Sequence, residues 1–203
     1  MIPRWRAALA VLLALAACDS GPPRLAKLPA DGVVLAFGDS LTFGTGARAE
    51  ASYPAVLEEL IGRRVVRAGV PGEVTAQGLA RLPGALRDSA PDLLVLIHGG
   101  NDVLQRRDRE DTRANLRAMV QVARERGVAV VLIGVPNLGL ILGRSAGFYR
   151  KLAEELDLPY DGEALPAILK QSGLKSDPIH PNAQGYRQLA EAVAELLRRS
   201  GAI

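Results

Sequence analysis

From Val33 onward the chain alternates short unbroken apolar runs with longer segments whose apolar residues recur every three or four positions. The runs "VVLAF" (33–37), "VVRA" (65–68), "LLVLI" (93–97) and "VAVVLIGV" (128–135) have the length and branched content of strands, and their continuity predicts burial on both faces. "LPY" (158–160) is a weaker fifth. Between them, "YPAVLEELIGRR", "TAQGLARLPGALRD" and "DTRANLRAMVQVARERG" carry helical spacing. Pro54 suits a first turn, where its missing N–H costs nothing, and Leu116, Met119, Val120 and Ala123 share one face of the third segment. "NAQGYRQLAEAVAELLRRS" closes the chain as a helix, with Asn182 as its cap and Leu189, Val193, Leu196 and Leu197 as its apolar stripe.

Strand followed by helix, repeated, implies α/β architecture: a three-layer α/β/α sandwich with a central, mostly parallel five-stranded sheet. In such sheets the ligand crevice forms where loops leave the carboxyl ends of the strands. The loops after Phe37, Ala68, Ile97 and Val135 are therefore the ones to search.

The segment before Val33 does not share this pattern. "MIPRWRAALAVLLALAAC" sets Arg4 and Arg6 ahead of an apolar stretch, Ala7 to Ala17, that is shorter than the ~20 residues a membrane-spanning helix needs. That layout is a secretory signal peptide, residues 1–17. Its end, "LAAC", resembles the bacterial lipobox, after which Cys18 would carry lipid at the new N-terminus. Several acyl chains, each methylene worth ~0.8 kcal/mol on burial, would anchor the chain to a membrane surface in the bacterial cell envelope, facing the periplasm or outward. Cys18 is also the only cysteine, which excludes an intrachain disulfide. "DSGPPRLAKLPADG" is rich in proline, glycine and small residues without period, so residues 18–32 read as a tether. Residues 33–203 then form one domain.

Loss of residues 1–17 removes two arginines and leaves 23 basic against 22 acidic residues. A near-neutral chain with no basic stretch interleaved with aromatics gives no footing for nucleic acid.

The first loop, "AFGDSLTFG" (36–44), allows either a nucleophilic serine or a phosphate loop. It lacks the Lys-Ser/Thr of a P-loop and the G-x-G-x-x-G of a dinucleotide fingerprint, which removes nucleotide binding. Ser40 as nucleophile needs a base, a group that orients the base, and donors for the developing oxyanion. Of the two histidines, His180 lies in "DPIHPN", three residues after Asp177 and between prolines, where the carboxylate can fix its tautomer. His98, in "LIHGGND" at a strand end, reads as a packed residue that supports its loop. Gly72 in "AGVPGE" and Asn101 in "GGND" are either turn residues or oxyanion donors; with the Ser40 N–H they would make three. Asp39 reads as a brace or cap of the Ser40 loop. With two histidines, one cysteine assigned to lipid and no H-E-x-x-H, no metal and no cofactor is expected.

"GDSLTFG", "AGVPGE", "GGND" and "DPIHP", in this order from Gly38 to Pro181, resemble the four sequence blocks of the SGNH, or GDSL, hydrolases. The resemblance implies a flavodoxin-like fold and a catalytic set of Ser40, His180 and Asp177, with Ser40, Gly72 and Asn101 as the oxyanion hole. Within the family, "GEVTAQGLARLPGAL" and "GGNDVL" look nearest the small bacterial periplasmic acyl-CoA thioesterase, lysophospholipase and arylesterase group. One departure is Arg67, which falls where relatives often carry asparagine.

The implied activity is ester or thioester hydrolysis through an acyl-enzyme on Ser40, with no cofactor. The loop 136–147 carries Leu138, Leu140 and Ile141 among glycines and is expected to line the acyl site. Two rivals stand beside this reading: a carbohydrate O-deacetylase of the same family, and a lipoprotein that binds a partner without catalysis. Aromatic residues at 4% disfavour a sugar-stacking groove, and an intact Ser40, Asp177 and His180 set disfavours a silent binder.

Overall fold

The structure is a computed structural model that describes residues 21–136 and 145–203. Five strands, β1 (Val33–Gly38), β2 (Arg64–Gly69), β3 (Leu93–Ile97), β4 (Ala129–Ile133) and β5 (Tyr160–Asp161), form one sheet in the order β2-β1-β3-β4-β5, and every pairing is parallel. Among the described residues eight α-helices connect and cover them: α1 (Ser40–Phe43), α2 (Tyr53–Ile61), α3 (Thr75–Ser89), α4 (Gly100–Leu104), α5 (Arg109–Arg124), α6 (Gly147–Glu155), α7 (Ala164–Lys170) and α8 (Ala183–Arg199). The layer of α2, α7 and α8 packs one face of the sheet, and α3, α5 and α6 pack the other. This is the three-layer α/β/α architecture expected from the alternation.

The core follows the hydrophobic pattern. Leu93 to Ile97 in β3 are fully buried, as are Leu116, Met119, Val120 and Ala123 of α5 and Leu189, Val193 and Leu197 of α8. Each leucine, isoleucine, valine or methionine side chain so removed from water contributes about 1.5–3 kcal/mol. Asn182 caps α8 by accepting the N–H of Gly185 at 3.0 Å.

Strand order places the crevice. The chain leaves β1 toward β2 on one side and returns to β3 on the other, so the connections diverge at the carboxyl ends of β1 and β3. Gly38 pairs with both Gly69 and Ile97, which brings the ends of the three strands to one level. A Cβ on Gly38 would lie 1.8 Å from the Ile97 carbonyl oxygen and 2.6 Å from Thr42 Oγ1, so only glycine fits there. Close approach to β3, more than turn geometry, sets this position.

Three findings differ from the expectations above. "VVRA" is not buried on both faces: β2 is the edge strand, pairs only with β1, and exposes Arg64 and Arg67. Burial of a strand depends on its neighbours in the sheet, which its own sequence does not name. Arg67 uses the edge, donating from Nη1 to the Phe43 carbonyl at 3.2 Å with its guanidinium 5.2 Å from the Phe43 ring centre, and so ties β2 to α1. Helices α6 and α7 were not anticipated; Tyr149, Leu152, Leu165 and Ile168 are buried along them. Finally, the described part of the 18–32 tether lies against the fold. Leu25 and Leu28 donate backbone N–H bonds to the carbonyls of Ser200 and Ala202 at 2.8 Å, and Leu28 is buried. Cys18 lies outside the described residues.

Candidate active site

Ser40 is the first residue of α1, directly beyond β1. Asp39 caps that helix: its Oδ1 accepts the Leu41 N–H at 3.0 Å, while the carboxylate itself is almost fully buried. Burial raises the Asp39 pKa, opposed by the nearby imidazoles and by backbone N–H groups of Leu41 and Gly100.

The second group arrives from the loop before α8. Asp177 Oδ1 accepts the N–H groups of Ile179 and His180, both at 2.9 Å, and the Ser176 N–H closes the loop on the His180 carbonyl at 3.0 Å. Asp177 Oδ2 then stands 2.7 Å from His180 Nδ1. With its proton on Nδ1 toward the carboxylate, His180 presents Nε2 as an acceptor, 2.9 Å from Ser40 Oγ. Burial pushes the Asp177 carboxyl up, but the ring hydrogen bond and the two backbone N–H groups outweigh it and hold it below the ordinary range. The two loops are pinned together by Tyr186 of α8, whose hydroxyl donates to the Thr45 carbonyl at 2.8 Å.

The second and third blocks follow the neighbouring strands β2 and β3. In the turn after β2, Glu73 N–H donates to the Val70 carbonyl at 3.2 Å, with Pro71 and Gly72 at the centre and Gly72 at φ +80°. A positive φ at the third position is what a type II turn demands of a glycine. Val70 N–H donates to the Gly38 carbonyl at 3.1 Å, which lays this turn beside the end of β1. Asn101, in the first turn of α4, donates from Nδ2 to the Glu73 carbonyl at 2.9 Å and makes a longer contact of 3.4 Å with Asp39 Oδ2.

A cleft opens over Ser40 and His180, with Asn101 on one side and apolar walls from Leu41, Leu104, Val135, Leu169 and Ile179. Ser40, His180 and Asn101 thus face one space, with Asp177 behind His180. Gly72 sits on the adjacent turn, outside the cleft walls. Leu138, Leu140 and Ile141, expected at the acyl site, lie outside the described residues. His98 is fully buried and serves its own loop: Nδ1 accepts the Gly99 N–H at 2.9 Å, and the Tyr149 hydroxyl donates to its carbonyl at 2.8 Å. Of the walls, Leu104 ends "GGNDVL", Val135 closes the fourth strand run and Ile179 stood inside "DPIHP", so these three could have been found; Leu169, on a helix far along the chain, carried no sequence signal.

A hydroxyl held by a carboxylate-backed imidazole can be deprotonated as it attacks an electrophilic carbon, which places the site in the class of nucleophilic hydrolases. The sequence comparison agrees: the GDSL-like Lipase/Acylhydrolase family matches residues 36–188, and the chain belongs to that family. It is 31% identical over 172 residues to thioesterase 1/protease 1/lysophospholipase L1 of Escherichia coli K12, across 81% of this chain and 83% of that protein. It is 30% identical over 176 residues to an arylesterase of Vibrio mimicus, across 81% and 87% of the two chains. Among solved structures, TesA superposes with a TM-score of 0.72 at 28% identity, covering 82% of this chain and 98% of that one.

Proposed function

We propose that this chain hydrolyses carboxylic esters or thioesters through an acyl-enzyme on Ser40. The observation that carries the reading is the relay from Asp177 through His180 to Ser40, with contacts of 2.7 and 2.9 Å. His180 Nε2 takes the Ser40 proton as Oγ bonds to the substrate carbonyl carbon. The ester C–O or thioester C–S bond then breaks, and the leaving alcohol or thiol departs with the proton from His180. Water, deprotonated by His180 in turn, cleaves the acyl-Ser40 ester.

The oxyanion would be held by the N–H groups of Ser40 and Gly72 and by Asn101 Nδ2. One hydrogen of Asn101 stays on the Glu73 carbonyl, and its long contact with Asp39 is the one to exchange for the oxyanion. The apolar walls of the cleft support an acyl chain as occupant over a sugar, which recognition by aromatic stacking and polar groups would suit better. Leu138, Leu140 and Ile141 are proposed to extend those walls. The names of the relatives, a thioesterase with lysophospholipase activity and an arylesterase, support the same substrate class.

We place the chain in the bacterial cell envelope, held by lipid on Cys18 after removal of residues 1–17. Among the described residues no helix is long and apolar enough to cross a membrane, and the "LAAC" motif supports the anchor. Incorporation of labelled palmitate, lost in Cys18→Ser, tests it.

Turnover of p-nitrophenyl butyrate by the chain and by Ser40→Ala tests the chemistry. Loss of the nucleophile is expected to lower kcat by more than about 1000-fold. Equal rates for the two proteins overturn the assignment.

A further inference from the structure

Beneath the two loops that carry Gly72 and Asn101 lies a buried polar cluster that the steps above do not use. The Glu73 carboxylate accepts twice from Arg81, Nε to Oε1 at 2.8 Å and Nη2 to Oε2 at 2.7 Å. Its Oε2 also lies 3.2 Å from His98 Nε2. Because His98 Nδ1 accepts the Gly99 N–H, the ring proton sits on Nε2 and is donated to Glu73. Arg81 Nη2 reaches on to the Ala68 carbonyl at 3.2 Å, at the end of β2, and the guanidinium lies over Phe37 of β1 at 4.1 Å from the ring centre. A buried carboxylate persists only where its lone pairs are met by donors, and here three N–H groups, two from Arg81 of α3 and one from His98 just past β3, meet it.

The same residue acts through its backbone. Glu73 is bonded directly to Gly72, and its carbonyl accepts Asn101 Nδ2 at 2.9 Å. One end of Glu73 therefore holds the Gly72 turn against α3 and the β3 loop, and the other aims the Asn101 amide.

Resting on the Ser40 hydrolase reading, the geometry points to Glu73 as a positioning residue of the oxyanion site, working through Arg81 and His98. Oxyanion stabilisation demands donors fixed within a few tenths of an ångström before charge develops, and a donor that drifts loses most of its effect. The Asp102 carboxylate also ties these two segments, accepting the Thr75 N–H at 2.9 Å and the Thr75 hydroxyl at 2.6 Å, but the Glu73 cluster is the tie that reaches Gly72 and Asn101 themselves.

Glu73→Gln is close to isosteric but turns one acceptor into a donor, which then faces Arg81 or His98 donor to donor. Kinetics of p-nitrophenyl butyrate hydrolysis for the parent, Glu73→Gln, Asn101→Ala and the double variant test the inference, with Leu57→Ala, in the opposite helical layer, as a control for lost stability. The expected result is a fall in kcat of at least about tenfold for Glu73→Gln with KM within about twofold, and an equal slowing of its inactivation by a p-nitrophenyl phosphonate, whose adduct on Ser40 carries the same oxyanion. Leu57→Ala should melt lower yet keep kcat within about twofold. In the double variant the loss should be smaller than the product of the two single losses, because Glu73 acts through Asn101. A kcat for Glu73→Gln within twofold of the parent, or losses that multiply, overturns the role. If Glu73→Gln does not fold, Glu73→Asp, which keeps the acceptors but shortens their reach, is read by the same criteria. Ser40→Ala assayed alongside separates the failures: activity independent of Ser40 defeats the hydrolase reading, whereas Ser40-dependent activity unmoved in Glu73→Gln defeats only this inference.

Discussion

Asp177 holds His180 at two points and its loop at a third: Oδ2 meets the ring Nδ1 at 2.7 Å, and Oδ1 takes the His180 backbone N–H at 2.9 Å together with that of Ile179. The carboxylate thus builds the loop and orients the imidazole at once. The two jobs separate in Asp177→Asn. Its amide oxygen can keep the backbone bonds, but its NH2 facing Nδ1 forces the wrong tautomer and removes the acceptor from Ser40. The variant should melt within a few degrees of the parent while kcat falls by about 1000-fold or more; a parallel loss of both would place the residue in folding alone.

Stability toward acid should report Glu73. Burial pushes its carboxyl up, but the hydrogen bonds from Arg81 and His98 prevail and lower it to about 2. A carboxyl depressed in the folded state contributes stability that is fully present above its unfolded value, about 4.3, and is lost as pH falls through the folded one. Urea melts at pH 7, 4 and 3 are expected to show the parent losing stability across roughly pH 4.5 to 2 more steeply than Glu73→Gln. Identical pH dependence in the two proteins would show the ion pair to be uncoupled from folding.

Asp39 invites a test of its role as brace. Asp39→Ala removes the cap of α1 and leaves the Leu41 N–H unpaired, a loss of about 1 kcal/mol. That corresponds to about 2–4 °C in Tm for a chain of this size. The rate should drop as well, since this carboxylate caps the short helix that begins with Ser40. Unchanged Tm by calorimetry would argue that solvent replaces the cap without cost.

Two glycines make opposite forecasts. Gly38→Ala drives a Cβ into the β3 backbone, so soluble expression or Tm should collapse. A Cβ on Gly147, at the start of α6, meets nothing within 4 Å, and alanine there should be neutral or stabilising, up to about 1 kcal/mol. A thermal-shift comparison of the pair decides it.

Chain-length preference should follow the apolar walls. Leu169→Ala and Ile179→Ala enlarge the cleft over Ser40, and the ratio of octanoate to acetate ester kcat/KM should shift by several-fold in each. The same assay on Leu140→Ala and Ile141→Ala asks whether the 136–147 loop shares the work; a flat profile in those two confines the acyl site to the cleft walls.

Much of the fold was legible because its signal is local. A fully buried strand such as β3 is an unbroken apolar run, and α5 and α8 bury residues spaced three and four apart, so periodicity alone named them. The edge position of β2 was not legible, since nothing in "VVRA" states which strands flank it. The four blocks that bear Ser40, Gly72, Asn101 and the pair Asp177 and His180 were visible as short motifs, three at strand ends and the last before α8, each needing only its own turn chemistry.

The sequence by itself determined the α/β alternation, the residues able to supply a nucleophile, a base and its carboxylate, and the family to which they belong. Tertiary structure alone decided that Ser40 and His180, 140 residues apart, meet at 2.9 Å. It alone decided that Glu73, Arg81 and His98 share one hydrogen-bonded network, and that Leu104, Val135 and Leu169 wall one cleft. Strand order causes the difference. Periodicity is written within each element, but which loops share the crevice depends on where the chain reverses beside β1, and that is settled only when the sheet assembles.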